Sequence, residues 1–304
     1  MKSDFDVIII GGGPAGLTAA IYAARYKLDC LVVSKTIGGA AATAYKICNY
    51  PSSEEIKGFE LMQKYTKKVE ELRVPIIYND VIKVEKGKNG FLVSTLNKKF
   101  SCKKIIFCIG TERIRLNVKG EGKFLGRGVS YCTTCDAAFF KDKDVVVVGG
   151  SNAALTSALL LAEYSPKVYI IYRGDKFLKP EPTWIELVKR EKKIQTLFKE
   201  EIVEIYGDKS VEEIKLKSGK LLKVKGIFVE TGSVPNTNLV SNLGIRLDKK
   251  GYIMTDKEQK TNIKGLFAAG DVTNNILKQI VTASAEGAIA AYSAYKEIEE
   301  EKIR

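Results

Sequence analysis

The sequence predicts an α/β chain built from two βαβ units, each on a buried parallel sheet. Two observations carry this. First, Asp6–Gly16 aligns without gaps to Asp144–Ala154, an offset of 138. In both segments a continuous β-branched run precedes the glycines, the pattern of a strand buried on both faces. Second, each run enters a small-residue turn and then a helix, expected over Ala15–Tyr26 and Ala153–Ala162. A second apolar strand follows each helix, Cys30–Val33 and Val168–Tyr172. That order is the dinucleotide-binding unit, present twice.

The glycines of the first copy have separate tasks. Gly11 permits the tight turn, Gly13 lets backbone approach a pyrophosphate, and Gly16 lets the helix pack on the strand. The helix start, at Pro14 and Ala15, offers free N–H groups and a partial positive charge to phosphates. In the second copy Ser151 stands at the middle glycine and Ala154 at the last. Ala is tolerated there, but Ser151 puts a side chain where phosphate comes closest. That copy reads either as a working nucleotide site or as a unit kept for folding.

Composition removes other chemistries. The 304 residues contain no His, which excludes Ser-His-Asp, Cys-His and His-ligated metal mechanisms. The net charge of +13 is mostly scattered Lys without interleaved stacking aromatics, so no nucleic-acid partner is expected and an acidic protein partner stays open. No apolar run reaches the roughly 20 residues of a membrane helix, and no membrane association is expected. Six Cys, four of them scattered singly, make no disulfide framework, which suggests a reducing, cytoplasmic setting.

The chemical centre is Cys132-Thr133-Thr134-Cys135-Asp136. A two-residue spacer allows a small disulfide ring and lowers one thiol pKa. Zinc would need two further ligands, and neither a His nor a second CxxC exists. Two inert buried thiols are the bland alternative. Asp136 suits an N-cap before Ala137–Phe140, a proton relay to a thiolate, or both. Further along, Gly270-Asp271 follows a short apolar strand, and Asp271 suits either hydroxyl binding or an N-cap of a helix over Gln279–Tyr295. Gly110-Thr111 and Thr231–Asn236 each end an apolar strand, Lys104–Ile109 and Gly226–Glu230.

Taken together, Gly11–Gly16, Gly38-Gly39, Tyr131–Asp136, Gly149–Asn152, Pro235–Thr237 and Ala269–Val272 stand in the order and spacing of the low-molecular-weight thioredoxin reductases. The chain resembles that family along essentially its whole length. The resemblance implies two Rossmann-like dinucleotide-binding domains, the second inserted in the first: residues 1–114 and 244–304 for FAD, and 115–243 carrying the CxxC. It implies FAD on Gly11, Gly13, Pro14, Ala15, Gly16, Gly38, Gly39, Asn49, Gly110, Thr111, Gly270, Asp271, Gln279 and Ile280. It further implies that Cys135 faces the flavin, that Cys132 attacks the disulfide of a thioredoxin-like partner, and that Asp136 handles the proton. A homodimer is implied as well.

Departures from the pattern bear on the electron donor. Where the NADPH enzymes carry an Arg cluster for the 2′-phosphate, this chain reads Tyr172-Arg173-Gly174-Asp175-Lys176-Phe177-Leu178, with one Arg. No carboxylate ends that strand to hold an NAD ribose. Thr156-Ser157 stands where acidic residues are common, Ala40-Ala41 replaces Gln-Leu, and no Glu lies between Val33 and Gly38. NADPH and NADH are therefore expected to be poor donors, with ferredoxin as the alternative. The competing reading, from another class, is an FAD-binding redox sensor without reductase turnover. Whether added dithiol reduces the flavin, and whether electrons reach thioredoxin, separates the two.

Overall fold

The alternation along Phe5–Gly12 explains why this segment forms a central strand. Val7 and Ile9 enter one apolar cluster and Ile8 and Ile10 the opposite one, so the sheet is covered on both faces. The structure, a computed structural model, describes residues 4–44, 47–51, 54–88, 90–177 and 180–303; Leu178 lies outside the described residues. They form two compact units.

The first unit comprises 4–42, 47–112 and 234–303. Its sheet runs in the order Ile76–Ile77, Cys30–Ile37, Phe5–Gly12, Lys99–Phe107, Gly90–Thr95, Val81–Gly87, with Leu266–Ala268 also on Lys99–Phe107. Phe5–Gly12 pairs in parallel with both neighbours, and the last two strands add an antiparallel hairpin. Its first helix, Pro14–Arg25, begins with proline, whose fixed φ suits that place. It packs along the C-terminal helix Ile280–Ile303. A Cβ on Gly287 would overlap the Ala15 carbonyl oxygen, so the two backbones approach as closely as glycine allows. The C-terminal helix runs past the expected end at Tyr295, and the buried Lys104 holds its last turns through Glu297 at 3.1 Å and Glu301 at 2.7 Å.

The second unit comprises 113–233 with residues 43–44. Its parallel sheet runs Ile194–Phe198, Val168–Tyr172, Val145–Val148, Gly226–Val229, Val129–Ser130. The four central valines alternate between two clusters, as the first copy does. Helix Asn152–Tyr164 follows the second glycine turn, and a three-stranded meander over Ile202–Lys223 completes the unit. The connectors Thr111–Arg113 and Ser233–Pro235 pair with each other. The crossings fall at 112/113 and 233/234, not at the expected 114/115 and 243/244. The reason is burial: Val240 is fully enclosed in the cluster of Ile8 and Phe107.

Candidate active site

The first glycine turn is shaped by contact on two sides and by open space on the third. Gly11 has φ +111°, and a Cβ there would overlap the Cys108 carbonyl; a Cβ on Gly16 would overlap the Gly11 carbonyl. A Cβ on Gly13, in contrast, would meet nothing within 4 Å. Gly13 is also the N-cap of Pro14–Arg25 and brings no side chain to the cap, so the Ala15 and Gly16 N–H groups precede the first intrahelical bond, Leu17 N–H to Gly13 at 2.9 Å. Gly38 donates to the Gly12 carbonyl at 2.7 Å, and a Cβ on Gly39 would lie 3.3 Å from Gly13 Cα. Both glycine pairs therefore line one backbone-walled cradle.

Gly270, with φ +82°, sits so near this cradle that a Cβ on it would come 2.9 Å from Ala15 Cβ. The next residue, Asp271, accepts no hydrogen bond from any described residue. Burial raises its carboxyl above the ordinary range, with Lys278 pulling the other way. It does not cap the C-terminal helix: the Gln279 N–H is met by Thr282 Oγ1 at 3.2 Å, and that helix starts at Ile280. Asn49 and Gln279, 230 residues apart, meet through a 3.3 Å bond from Asn49 Nδ2 to Gln279 Oε1. Gly110 has φ +71° with open space at its Cβ, and its carbonyl accepts from Asn236 N–H, while Thr111 begins the connector strand.

Three residues of this region carry no motif. Glu286 is buried and accepts from Gly270 N–H at 2.7 Å, from Thr273 Oγ1 at 3.1 Å and from Asn275 Nδ2, fixing the loop that carries Asp271. The signal available in sequence was a lone acidic side chain inside the small-residue run Ala283–Ala291. Ser34 Oγ accepts from Gly12 N–H at 2.9 Å, bracing the turn where a ribose-binding Glu is missing. Lys278 donates to the Thr273 carbonyl and stands 4.3 Å over the Tyr252 ring. Open space at Gly13, helix-start N–H groups and the unbonded Asp271 carboxylate fit a dinucleotide of the FAD kind.

In the second unit Cys132 and Cys135 form a disulfide with Cα atoms 5.3 Å apart. Cys132 caps the short helix Thr133–Asp136, and its carbonyl accepts from the N–H groups of Cys135 and Asp136, both at 3.2 Å. Cys132 is half-buried and Cys135 exposed. Asp136 ends this helix and precedes the turn Ala137–Phe140, where its side chain makes no cap bond. Cys30, Cys102 and Cys108 are buried free thiols. Burial pushes the Cys30 and Cys102 thiols up to about 12 and the Cys108 thiol also upward, so they stay protonated at neutral pH.

The second glycine turn repeats the strand geometry of the first, with Ser151 at the place of Gly13. Gly149 has φ +152° against the Glu230 carbonyl, as Gly11 stands against Cys108. The Tyr172 ring lies against Gly150, where a Cβ would overlap it, and a Cβ on Gly174 would lie 2.6 Å from the same ring. Tyr172 stacks on Phe177 at 5.7 Å, and Phe177 packs on Phe198 at 5.0 Å. Asn152, the first residue of the following helix, donates from Nδ2 to Glu181 Oε1 at 2.9 Å and accepts from Glu181 N–H at 2.7 Å. The Glu181 carboxylate is therefore held by the side chain of the residue that opens this helix.

No helix among the described residues is long and apolar enough to cross a membrane. Residues 5–287 match the family described as pyridine nucleotide-disulphide oxidoreductase. The chain is 39% identical to a thioredoxin reductase of Listeria innocua, over 98% of this chain and 95% of that one. It is similar to the crystal structure of thioredoxin reductase from Lactococcus lactis, with a TM-score of 0.94 and 37% identity over 98% of this chain and 100% of the other. It is also similar to a ferredoxin-flavin thioredoxin reductase from Clostridium acetobutylicum, at TM-score 0.53 and 34% identity over 97% and 98% of the two chains. With its CxxC closed as a disulfide beside a dinucleotide fold, and with likeness along its full length, the chain belongs to the thioredoxin reductases of the pyridine nucleotide-disulphide oxidoreductase family, flavoenzymes that pass electrons through a cysteine pair to thioredoxin.

Proposed function

We propose that this thioredoxin reductase takes its electrons from an acidic protein of the ferredoxin type, in place of NADPH or NADH. The observation that carries this is the second glycine turn, where Ser151 replaces the middle glycine, the Tyr172 ring packs on Gly150 and Gly174, and the Glu181 carboxylate is bonded to Asn152. The missing Arg cluster and the +13 charge support it, since excess positive charge steers acidic partners. The likeness to a ferredoxin-flavin enzyme agrees with this reading.

FAD would be held by Gly11, Gly13, Pro14, Ala15 and Gly16 at the pyrophosphate, with Gly38, Gly39, Asn49, Gly110, Thr111, Gly270, Asp271, Gln279 and Ile280 around the rest of the molecule. When bound, it supplies the electron relay between the donor and the disulfide. The chain's own thiols do the rest. The Cys132 thiolate attacks a sulfur of the partner's disulfide, and one partner sulfur leaves and takes up a proton. The Cys135 thiolate then attacks the Cys132 sulfur, releasing the second partner sulfur and restoring the Cys132–Cys135 bond. Asp136, one residue from Cys135, takes the Cys135 proton before the second attack and passes it to the departing partner sulfur. Operation in the cytoplasm as a homodimer completes the proposal.

The test is anaerobic flavin reduction by reduced ferredoxin, NADPH and NADH at equal concentration, followed by an insulin–thioredoxin assay. Ferredoxin-driven turnover is expected. Rapid, saturable reduction by micromolar NADPH would overturn the donor assignment.

A further inference from the structure

We infer that Glu286 is a positioning residue for FAD, acting through Asp271, whose carboxylate it holds at a fixed place relative to the first glycine turn. Glu286 lies on the C-terminal helix Ile280–Ile303 and is 6% exposed. Its Oε2 accepts from Gly270 N–H at 2.7 Å and from Thr273 Oγ1 at 3.1 Å, and its Oε1 accepts from Asn275 Nδ2. Asp271 lies between the first two of these donors, so the chain is tied to one buried carboxylate on either side of it. The loop is also closed on itself, since Thr273 N–H donates to the Gly270 carbonyl at 2.9 Å.

The same helix sets the phosphate side of the site through the next residue. A Cβ on Gly287 would lie 2.1 Å from the Ala15 carbonyl oxygen, and one on Gly270 would lie 2.9 Å from Ala15 Cβ and 3.7 Å from Ala283 Cβ. Neighbouring residues on a helix stand about 1.5 Å apart along its axis. Glu286 and Gly287 therefore register the Asp271 loop and the start of helix Pro14–Arg25 against each other. Asp271 itself accepts no hydrogen bond from a described residue, which leaves its oxygens to accept from the hydroxyl groups of the cofactor's polyol chain. An acceptor ordered in advance spares the cost of ordering it when the ligand arrives. Among the described residues, the hydrogen bonds to the Glu286 carboxylate all come from Gly270–Asn275 and none from Gly11–Gly16. Its influence is thus directed at the polyol and not at the pyrophosphate.

This role rests on the FAD reading of the site, and the experiment separates the two. Full-length apoprotein would be titrated with FAD, followed by flavin fluorescence, and with ADP, followed by calorimetry. Glu286→Ala is expected to weaken FAD binding by about tenfold or more and to leave ADP binding within about twofold, since ADP reaches the glycine turn without the polyol. Glu286→Gln, which keeps an acceptor oxygen for Gly270, should stay within about threefold of the unsubstituted protein. In an Asp271→Ala background, Glu286→Ala should change FAD affinity by less than about twofold, because the carboxylate it places is gone. Asn275→Ala, which withdraws a single donor, should give the same FAD-selective loss at about threefold and decides the question if Glu286→Ala does not fold. Unchanged FAD affinity in these variants, an equal loss of FAD and ADP, or an undiminished effect without the Asp271 carboxylate would each overturn the inference. An unsubstituted apoprotein that takes up no FAD would instead remove the cofactor reading beneath it.

Discussion

The Tyr172 ring lies against both Gly150, in the second glycine turn, and Gly174, beyond the end of its own strand. The charge-assisted contacts to a 2′-phosphate are worth about 1.5–3 kcal/mol each. Two of the family's Arg positions read Gly174 and Leu178 here, so NADPH affinity should fall by on the order of 10²-fold or more. Titration of the oxidised protein with NADPH and NADH should therefore show weak binding and little preference. Glu181→Gln, which removes the carboxylate from the start of the Asn152–Tyr164 helix, should strengthen binding of both nucleotides by roughly threefold to tenfold. Micromolar NADPH affinity in the unsubstituted protein would contradict this.

Gly11 and Gly13 should respond oppositely to alanine. Gly13 has φ −81° and open space, so Gly13→Ala should leave the apoprotein as stable or up to about 1 kcal/mol more stable. It should nevertheless weaken FAD binding by on the order of tenfold or more, because the methyl group stands where the pyrophosphate approaches. Gly11→Ala should destabilise the apoprotein itself by about 2 kcal/mol or more, since φ is +111° and the Cys108 carbonyl is in the way. Urea unfolding of the apoproteins together with FAD titration checks both halves.

Only the paired cysteines should matter for dithiol chemistry. Cys132→Ser and Cys135→Ser should each abolish disulfide reduction, and Cys135→Ser should trap a partner through Cys132. Cys30→Ala and Cys102→Ala should retain activity. In the folded protein their thiols, pushed up to about 12 by burial, should resist alkylation at pH 8. Trapping through Cys135 in place of Cys132 would reverse the roles of the two, a live comparison because Cys135 is the more exposed.

Glu286 should make stability pH-dependent in a recognisable direction. Burial raises its carboxyl above the unfolded value of 4.5, with the Gly270, Thr273 and Asn275 bonds opposing. The folded state therefore binds the extra proton. The associated stability is present in full below pH 4.5 and is lost as pH rises through the raised pKa. Glu286→Gln lacks this loss, so its stability relative to the unsubstituted apoprotein should improve between pH 4 and pH 7. Chemical denaturation across that range reads the slope, and a difference that worsens with pH would contradict the assignment.

The sequence by itself determined the two βαβ units, the glycine turns and the cysteine pair. Each is written in a short stretch: the valines of Val145–Val148 alternate between two cores, and a two-residue spacer brings the Cys132 and Cys135 Cα atoms to 5.3 Å. Period and spacing are local properties, so they survive without knowledge of the fold. The tertiary structure alone decided which distant groups meet. Asn49 finds Gln279, Arg113 finds Glu230, and Glu286 reaches Gly270, none of them neighbours along the chain. It also moved residues 234–243 into the first unit, because Val240 is buried there. Burial, and with it the charge state of Glu230, Asp271 and Glu286, depends on what packs around a side chain, and chain order does not encode that directly.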